Sequence, residues 1–225
     1  PEELIVRENG LRFAVRFSEG YSVGLFLDQR DNRRRLRTNH LGRGFALRDG
    51  GLGGASVLNA FAYTCGFSVC AAAAGARTVS LDLSRKYLDW GRRNFELNGL
   101  DPGAHEFIFG DVFDWFRRLR KKGRRFEAVL LDPPTFSSSR ASGTFQARQD
   151  YGKLAAAAAL FVAPNGVLFC STNAALWPAE QFLEAVQAGL RGEGRAVTRR
   201  QYFPQPPDFP VSRDEPAYLK TAWLR

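Results

Sequence analysis

Five short apolar runs, at residues 56–60, 78–81, 106–109, 128–131 and 166–170, constrain this chain more than any other feature. Stretches with helical patterning separate them, at 66–74, 84–98, 112–122, 145–162 and 179–190. Apolar strands buried on both faces and alternating with helices can pack only as a doubly wound, mostly parallel α/β sheet. Ser84 suits the N-cap of the second helix, and Asn98-Gly99 suits its end. In such a sheet, ligands gather beyond the carboxyl ends of the strands. Aspartates follow the second, third and fourth runs, as Asp82, Asp111 and Asp132, and are the first site candidates.

The flanks differ from this middle section. Leu4 to Phe17 alternates apolar and polar residues around Glu8-Asn9-Gly10, a strong hairpin signal, with Val23 to Leu27 as an extension. Asp28 to Leu36 has helical character with Asp28 as its cap, and the glycine-rich 41–54 stretch reads as a loop. At the other end, Ala196 to Phe203 and Tyr218 to Leu224 are strand-like runs around a proline-rich excursion, a two-stranded antiparallel finish. Two regions are expected: residues 1–40, a small β-hairpin region, and residues 41–225, the α/β domain.

Composition excludes several classes. A length of 225 residues, 44% hydrophobic and 24% charged, describes a globular chain with a full core. No apolar run reaches membrane-spanning length, and Pro1-Glu2-Glu3-Leu4 lacks the basic-then-apolar character of a leader. Cys65, Cys70 and Cys170 form no CxxC pair and have no metal spacing with His40 or His105. Sparse thiols fit a reducing cytoplasm. The net charge of +9, with clusters at Arg33-Arg34-Arg35-Leu36-Arg37 and at 117–125, favours a polyanionic partner, although either cluster could be a solvated helix face.

The residues after each strand suggest the chemistry. Asn59-Ala60-Phe61-Ala62-Tyr63-Thr64 follows the first with small residues and a turn, where backbone amides could approach a cofactor. Only Gly66 is present there, and a pyrophosphate-binding turn needs several glycines, so a dinucleotide is disfavoured. Asp82 can accept both ribose hydroxyls of either NAD or S-adenosylmethionine, with Leu83 beside it. Asp111 suits an adenine amine with Val112 against the ring, or simply caps the helix that follows. Asp132-Pro133-Pro134-Thr135-Phe136 is the most specific element. Its prolines fix a turn and leave carbonyl acceptors without N–H donors, and Phe136 offers a face for an extruded base. Asp132, Pro133, Pro134 and Phe136 are therefore the candidate catalytic residues, and Asp132 is also a cofactor candidate. Together these features point to methyl transfer from S-adenosylmethionine to a base atom.

The combination resembles the bacterial 23S ribosomal RNA base methyltransferases, over nearly the whole chain. It is carried by the hairpin, Gly24-Leu25-Phe26-Leu27-Asp28-Gln29-Arg30, the 59–64 turn, Asp82-Leu83-Ser84, Asn98-Gly99-Leu100, Asp111-Val112, Asp132 to Ser137, and Tyr218-Leu219-Lys220. The resemblance implies a seven-stranded Rossmann-like methyltransferase sheet with an antiparallel last strand. It implies S-adenosylmethionine as cofactor and large-subunit ribosomal RNA as partner, with no membrane and a homodimer left open. It also implies that Phe26, Asp28, Gln29 and Arg30, and more weakly Arg33, fold over the cofactor.

Two chemistries occur in that family. Cytosine-5 members place a Cys nucleophile just past the fifth strand; here Thr172 stands at that position and Cys170 falls two residues early. Guanine-7 members have Ser-Asn-Asn, closer to Ser171-Thr172-Asn173, whereas Asp208-Phe209-Pro210-Val211 leans to the cytosine type. The expectation is a base methyltransferase with guanine-N7-like chemistry preferred. The alternatives are a cytosine-5 route through Cys170, a small-molecule or protein methyltransferase, and a non-catalytic RNA-binding module.

Overall fold

The computed structural model describes residues 2–19, 22–139 and 143–225. Strands β1 (Leu4–Glu8) and β2 (Leu11–Val15) pair antiparallel from Leu4 opposite Val15 to Glu8 opposite Leu11. Asn9 and Gly10 both take positive φ, 50° and 78°, the backbone that a two-residue hairpin turn needs to match strand twist. Val23 to Leu27 does not extend the hairpin as a strand. A backbone bond from Arg16 N–H to the Val23 carbonyl, 2.9 Å, links the two.

Asp28 is not the helix cap expected from the sequence. Leu27–Gln29 forms a 3-10 turn, and α1 (Arg30–Thr38) begins after Gln29, which caps nothing with its side chain. Gln29 is buried and its Oε1 accepts instead from Asn32 Nδ2 at 2.9 Å. The 41–54 loop also holds more order than expected, a short pair β3 (His40–Gly42) and β4 (Phe45–Ala46). The Asn39 amide closes it by donating to the Arg48 carbonyl (2.7 Å) and accepting from Arg48 N–H (3.0 Å).

The parallel section then begins: β5 (Ser56–Ala60), α2 (Gly66–Ala73), β6 (Arg77–Asp82), α3 (Arg85–Glu96) and β7 (Glu106–Phe109). Ser84 caps α3, accepting from Tyr87 N–H at 3.3 Å. It continues with α4 (Val112–Lys121), β8 (Phe126–Leu131), β9 (Phe136–Ser139), β10 (Gly143–Gln146), α5 (Ala147–Ala159), β11 (Val162–Thr172), α6 (Ala179–Gly192), β12 (Arg200–Pro204) and β13 (Lys220–Leu224). α5 starts later than the apolar pattern suggested because residues 143–146 pair with β9 rather than joining the helix.

Seven strands form one sheet in the order β12-β13-β11-β8-β5-β6-β7. β5 with β6, β6 with β7, and β8 with β11 run parallel, and β13 runs antiparallel to both β11 and β12. The expected Rossmann-like sheet with its antiparallel last strand is present. The chain divides into two compact units, residues 1–110 and 111–225.

In the first unit the hairpin docks on α3 through an unusual device. The free edge of β2 is satisfied by helix side chains. Asn98 accepts from Arg12 N–H and donates to the Arg12 carbonyl, both at 2.8 Å. Asn94 accepts from Ala14 N–H at 2.9 Å, and Trp90 Nε1 donates to the Ala14 carbonyl at 3.1 Å. Backbone groups left unpaired on burial are costly, so these four bonds let Leu11, Phe13 and Val15 join the core of Val69, Cys70, Leu88 and Phe95. In the second unit Tyr151, Trp177 and Phe182 form an aromatic cluster. α5 and α6 cross closely there: a Cβ on Gly189 would lie 2.2 Å from the Gly152 carbonyl oxygen.

Candidate active site

The turn after β5 is the least ordinary backbone in the first unit. Phe61, Tyr63 and Cys65 take φ of 63°, 49° and 63°, a left-handed conformation that glycine adopts freely and other residues rarely do. Residues held this way store roughly 1–3 kcal/mol each and persist only where their surroundings impose the geometry. The impositions here are specific. Tyr63 N–H donates to Asp82 Oδ2 (2.8 Å), Ala62 N–H to the Leu81 carbonyl (3.0 Å), and Asn94 Nδ2 to the Thr64 carbonyl (2.9 Å).

Asp82 anchors this turn. Its Oδ1 accepts from Ser84 N–H at 2.8 Å while Oδ2 holds Tyr63. Burial pushes its carboxyl above the usual range, against the opposing pull of backbone donors at Tyr63, Ser84 and Leu83. A carboxylate has about four lone-pair directions, so acceptor capacity remains for hydroxyl donors. Leu83 beside it is exposed.

The Gly24–Phe26 stretch lies on this turn. Thr64 Oγ1 donates to the Gly24 carbonyl at 2.6 Å, and the Phe26 and Tyr63 rings meet at 5.2 Å, with Tyr87 edge-on to Tyr63 at 4.5 Å. Gly24 has φ of 108°, and a Cβ there would lie 2.3 Å from the Trp90 ring, so no side chain fits. Phe26, Tyr63 and Asp82, chosen from separate motifs, are thus brought together. Asn59 and Ala60 are buried in β5, with Asn59 Nδ2 donating to Ser68 Oγ at 2.9 Å. Arg33 is buried too, and its guanidinium is committed largely to the protein. Nε and Nη2 meet the two Glu8 carboxylate oxygens at 2.7 and 2.6 Å, and Nη2 reaches the Phe26 carbonyl at 2.9 Å. Sequence reasoning placed Arg33 toward the cofactor and missed Glu8; nothing in the hairpin sequence marks it as a partner.

The turn also fits tightly against α3. A Cβ on Gly91 would stand 2.3 Å from Cys65 Sγ and 2.9 Å from Cys65 Cβ. Gly91→Ala is expected to destabilise the fold by about 1–3 kcal/mol through overpacking. Adding Cys65→Gly should recover part of the loss, since it removes both clashing atoms at a position already left-handed. Urea unfolding of the single and double variants checks this; a double variant less stable than Gly91→Ala alone would refute the contact.

In the second unit Asp111 caps α4, accepting from Asp114 N–H at 3.1 Å, and Val112 is buried behind it. The capping role left open by the sequence is realised. Asp132 follows β8 directly, Pro133 is buried, and Pro134 is exposed. Phe136, the first residue of β9, is 61% exposed. Thr135 Oγ1 donates to Asn173 Oδ1 at 2.7 Å, tying this loop to the residue after β11.

Tyr151 is a residue the sequence did not single out. Its fully buried hydroxyl accepts from Ser171 N–H (2.8 Å) and lies 2.8 Å from the Ser171 carbonyl and 3.2 Å from that of Leu131. It braces the ends of β8 and β11, the strand ends that carry Asp132 and Asn173. Burial pushes its hydroxyl well above the usual tyrosine range. Lys220, noted in the sequence only as part of the Tyr218-Leu219-Lys220 match, has a role the sequence did not assign. It is buried, its Nζ donates to the carbonyls of Ala174 (2.7 Å), Ala175 (3.3 Å) and Tyr218 (3.1 Å), and burial lowers its pKa.

Cys170 is fully buried within β11, between Leu131 of β8 and Ala222 of β13, and burial raises its thiol pKa strongly. Cys65 and Cys70 are buried too, each pushed up to about 12. Thiolates are the reactive form, so none of these is poised as a nucleophile. Of the basic clusters, Arg34 on α1 is exposed. Arg117 and Arg118 on α4 are largely exposed while pairing with Asp114 at 3.1 and 2.8 Å.

Comparisons with known proteins agree with this geometry. The family model of S-adenosylmethionine-dependent methyltransferases matches residues 2–225. A ribosomal RNA large subunit methyltransferase of Deinococcus radiodurans is 36% identical over 225 residues, covering 100% of this chain and 52% of that protein. Ribosomal RNA large subunit methyltransferase I of Pseudoalteromonas atlantica is 36% identical over 223 residues, covering 98% and 53%. This chain therefore spans about half the length of those relatives. A crystal structure described as a methyltransferase complexed with S-adenosylhomocysteine superposes with a TM-score of 0.85 at 31% identity, covering 100% of this chain and 56% of that one. With the strand-end aspartates, the glycine-poor turn and a match along its length, the chain belongs to the S-adenosylmethionine-dependent methyltransferase family.

Proposed function

We propose that this chain transfers a methyl group from S-adenosylmethionine to a base of 23S ribosomal RNA, with guanine-N7-like chemistry. The residues present fit the cofactor. Asp82 keeps acceptor capacity for ribose hydroxyls, and the glycine-free turn lacks the bare backbone a pyrophosphate requires. In the first unit, Asn59, Ala60, Phe61, Ala62, Tyr63, Thr64, Asp82 and Leu83 would hold the nucleoside and amino-acid parts. Phe26, Asp28, Gln29, Arg30 and Arg33 would cover them. In the second unit, Asp111 and Val112 would meet the adenine, and Asp132, Pro133, Pro134 and Phe136 would present the target base. When bound, S-adenosylmethionine supplies an electrophilic methyl group.

The observation that carries the guanine reading is the burial of Cys170, with Thr172 likewise buried at the end of β11. Carbon methylation of cytosine requires a thiolate attacking the ring. A ring nitrogen such as N7 has its own lone pair and no proton to lose, so the chain needs only to orient the base and exclude water. Exposed arginines on α1 and α4 supply phosphate contacts for the RNA. The named activity of the Deinococcus and Pseudoalteromonas relatives supports ribosomal RNA as the substrate class.

The test is incubation of the chain with isotopically labelled S-adenosylmethionine and deproteinised 23S RNA, followed by nucleoside mass spectrometry. Labelled 7-methylguanosine is the expected product. Labelled 5-methylcytidine would replace the guanine reading, and a chain that binds the cofactor yet labels no RNA would refute the substrate class.

A further inference from the structure

The segment after β11 is held more firmly than a surface loop requires. Loops ordinarily run over the surface with loosely held side chains. Here the backbone on either side of Asn173 is pinned. Before it, Thr172 is fully buried and its Oγ1 accepts from Ala174 N–H at 3.3 Å. After it, the buried Lys220 ammonium donates to the Ala174 and Ala175 carbonyls, and Trp177 N–H donates to the Ala174 carbonyl at 3.0 Å. Burying an ammonium among neutral carbonyls carries a desolvation cost and is a poor way to gain stability alone. Its structural effect is to fix the position of residue 173.

The Asn173 side chain is itself exposed, yet it is oriented. Thr135, the residue after Pro133-Pro134, donates to its Oδ1, so the carbonyl end of the amide is turned to the protein and the NH2 end is directed outward. Its NH2 group can only donate, and the Thr135 bond sets which way that group points. Asn173 sits at the end of β11 and is bonded to the Asp132–Thr135 turn, where the proposed function places the target base.

Base edges differ in what they ask of such a donor. Guanine presents two acceptors side by side, N7 and O6. Cytosine carries its N4 amino group next to C5, and adenine carries its N6 amino group next to N7; both place a donor where Asn173 also offers one. We infer that Asn173 is a specificity-determining residue whose Nδ2 donates to the O6 oxygen of a target guanine, with Thr135 and Lys220 as positioning residues behind it. This rests on the reading that the chain methylates a ribosomal RNA base.

The experiment uses the 225-residue chain and a short RNA containing the target nucleotide mapped by mass spectrometry. Asn173→Asp keeps the shape and the bond from Thr135 but replaces the donor with an acceptor. It is expected to lower kcat/KM by at least about tenfold with S-adenosylmethionine affinity unchanged. Against an RNA whose target guanine is replaced by 2-aminopurine, which keeps N7 and lacks O6, wild type should lose a comparable factor and Asn173→Asp little more. Thr135→Val should give a smaller loss on guanine alone. Equal losses for Asn173→Asp on both RNAs, a wild-type rate in Asn173→Asp, or 5-methylcytidine as product would each overturn the inference while leaving the ribosomal RNA reading intact. Absence of transfer to any RNA by wild type with cofactor bound would instead overturn that underlying reading and this inference with it.

Discussion

Arg33→Met is expected to cost about 3–5 kcal/mol of folding stability, the loss typical when one partner of a buried ion pair is removed. The side chains of Arg33 and Glu8 are 3% and 9% exposed, and both carboxylate oxygens of Glu8 are engaged at 2.7 and 2.6 Å. The variant strands a buried carboxylate and leaves the Phe26 carbonyl without the Arg33 donor. Glu8→Gln combined with Arg33→Met should be less damaging than Arg33→Met alone, because no uncompensated charge then remains. Urea unfolding at neutral pH measures both. A loss below about 1 kcal/mol in Arg33→Met would place the pair among weak, solvent-screened bridges. The pair joins the hairpin to the Phe26 segment, so cofactor affinity should fall in parallel.

Asp82→Ala is expected to weaken S-adenosylmethionine binding roughly tenfold to a hundredfold, the equivalent of losing a charged hydrogen-bond partner worth about 1.5–3 kcal/mol. Calorimetry reads this directly, and unchanged affinity would remove Asp82 from the site. Its linkage to folding has a definite sign. Burial raises its folded pKa above the unfolded value of 3.8, so its protonation favours the native state. That contribution is fully present below 3.8 and is lost as pH rises through the folded pKa. At neutral pH the charged form of Asp82 is thus favoured less in the folded chain than in the unfolded one, while its backbone bonds still hold the turn.

Much of the architecture was legible in local pattern. Asn9-Gly10 could serve only a tight hairpin, and both residues take the positive φ such a turn demands. The buried parallel strands stood out because two covered faces leave no polar alternation, and their carboxyl ends carried the aspartates that β6 and β8 now present. Ser84 and Asp111 acted as helix caps because capping is settled within four residues. What stayed hidden depends on distant partners. No glycine announced the left-handed residues 61, 63 and 65, since Asp82, Leu81 and Asn94 impose them. Asp28 looked like a cap until the burial of Gln29 and Asn32 moved the helix start. Tyr151 read as an ordinary helix residue and Lys220 only as the end of the Tyr218-Leu219-Lys220 match, and only the folded chain gives them the carbonyls they contact.

The docking of β2 on α3 has a consequence in simple metrology. Four helical residues rise about 6 Å, and two strand residues span about 6.6–6.8 Å. Asn98 and Asn94 are four apart and meet Arg12 and Ala14, which are two apart, so the helix works as a ruler graduated in strand units. The mismatch grows with each graduation, and at the Ala14 carbonyl the longer reach of Trp90 takes over. Alternate residues of a strand turn their N–H and C=O to opposite edges. A slip of one residue would therefore aim every one of these groups away from α3. The register of the hairpin is thus written in a helix more than seventy residues downstream, and the two segments can change only in step.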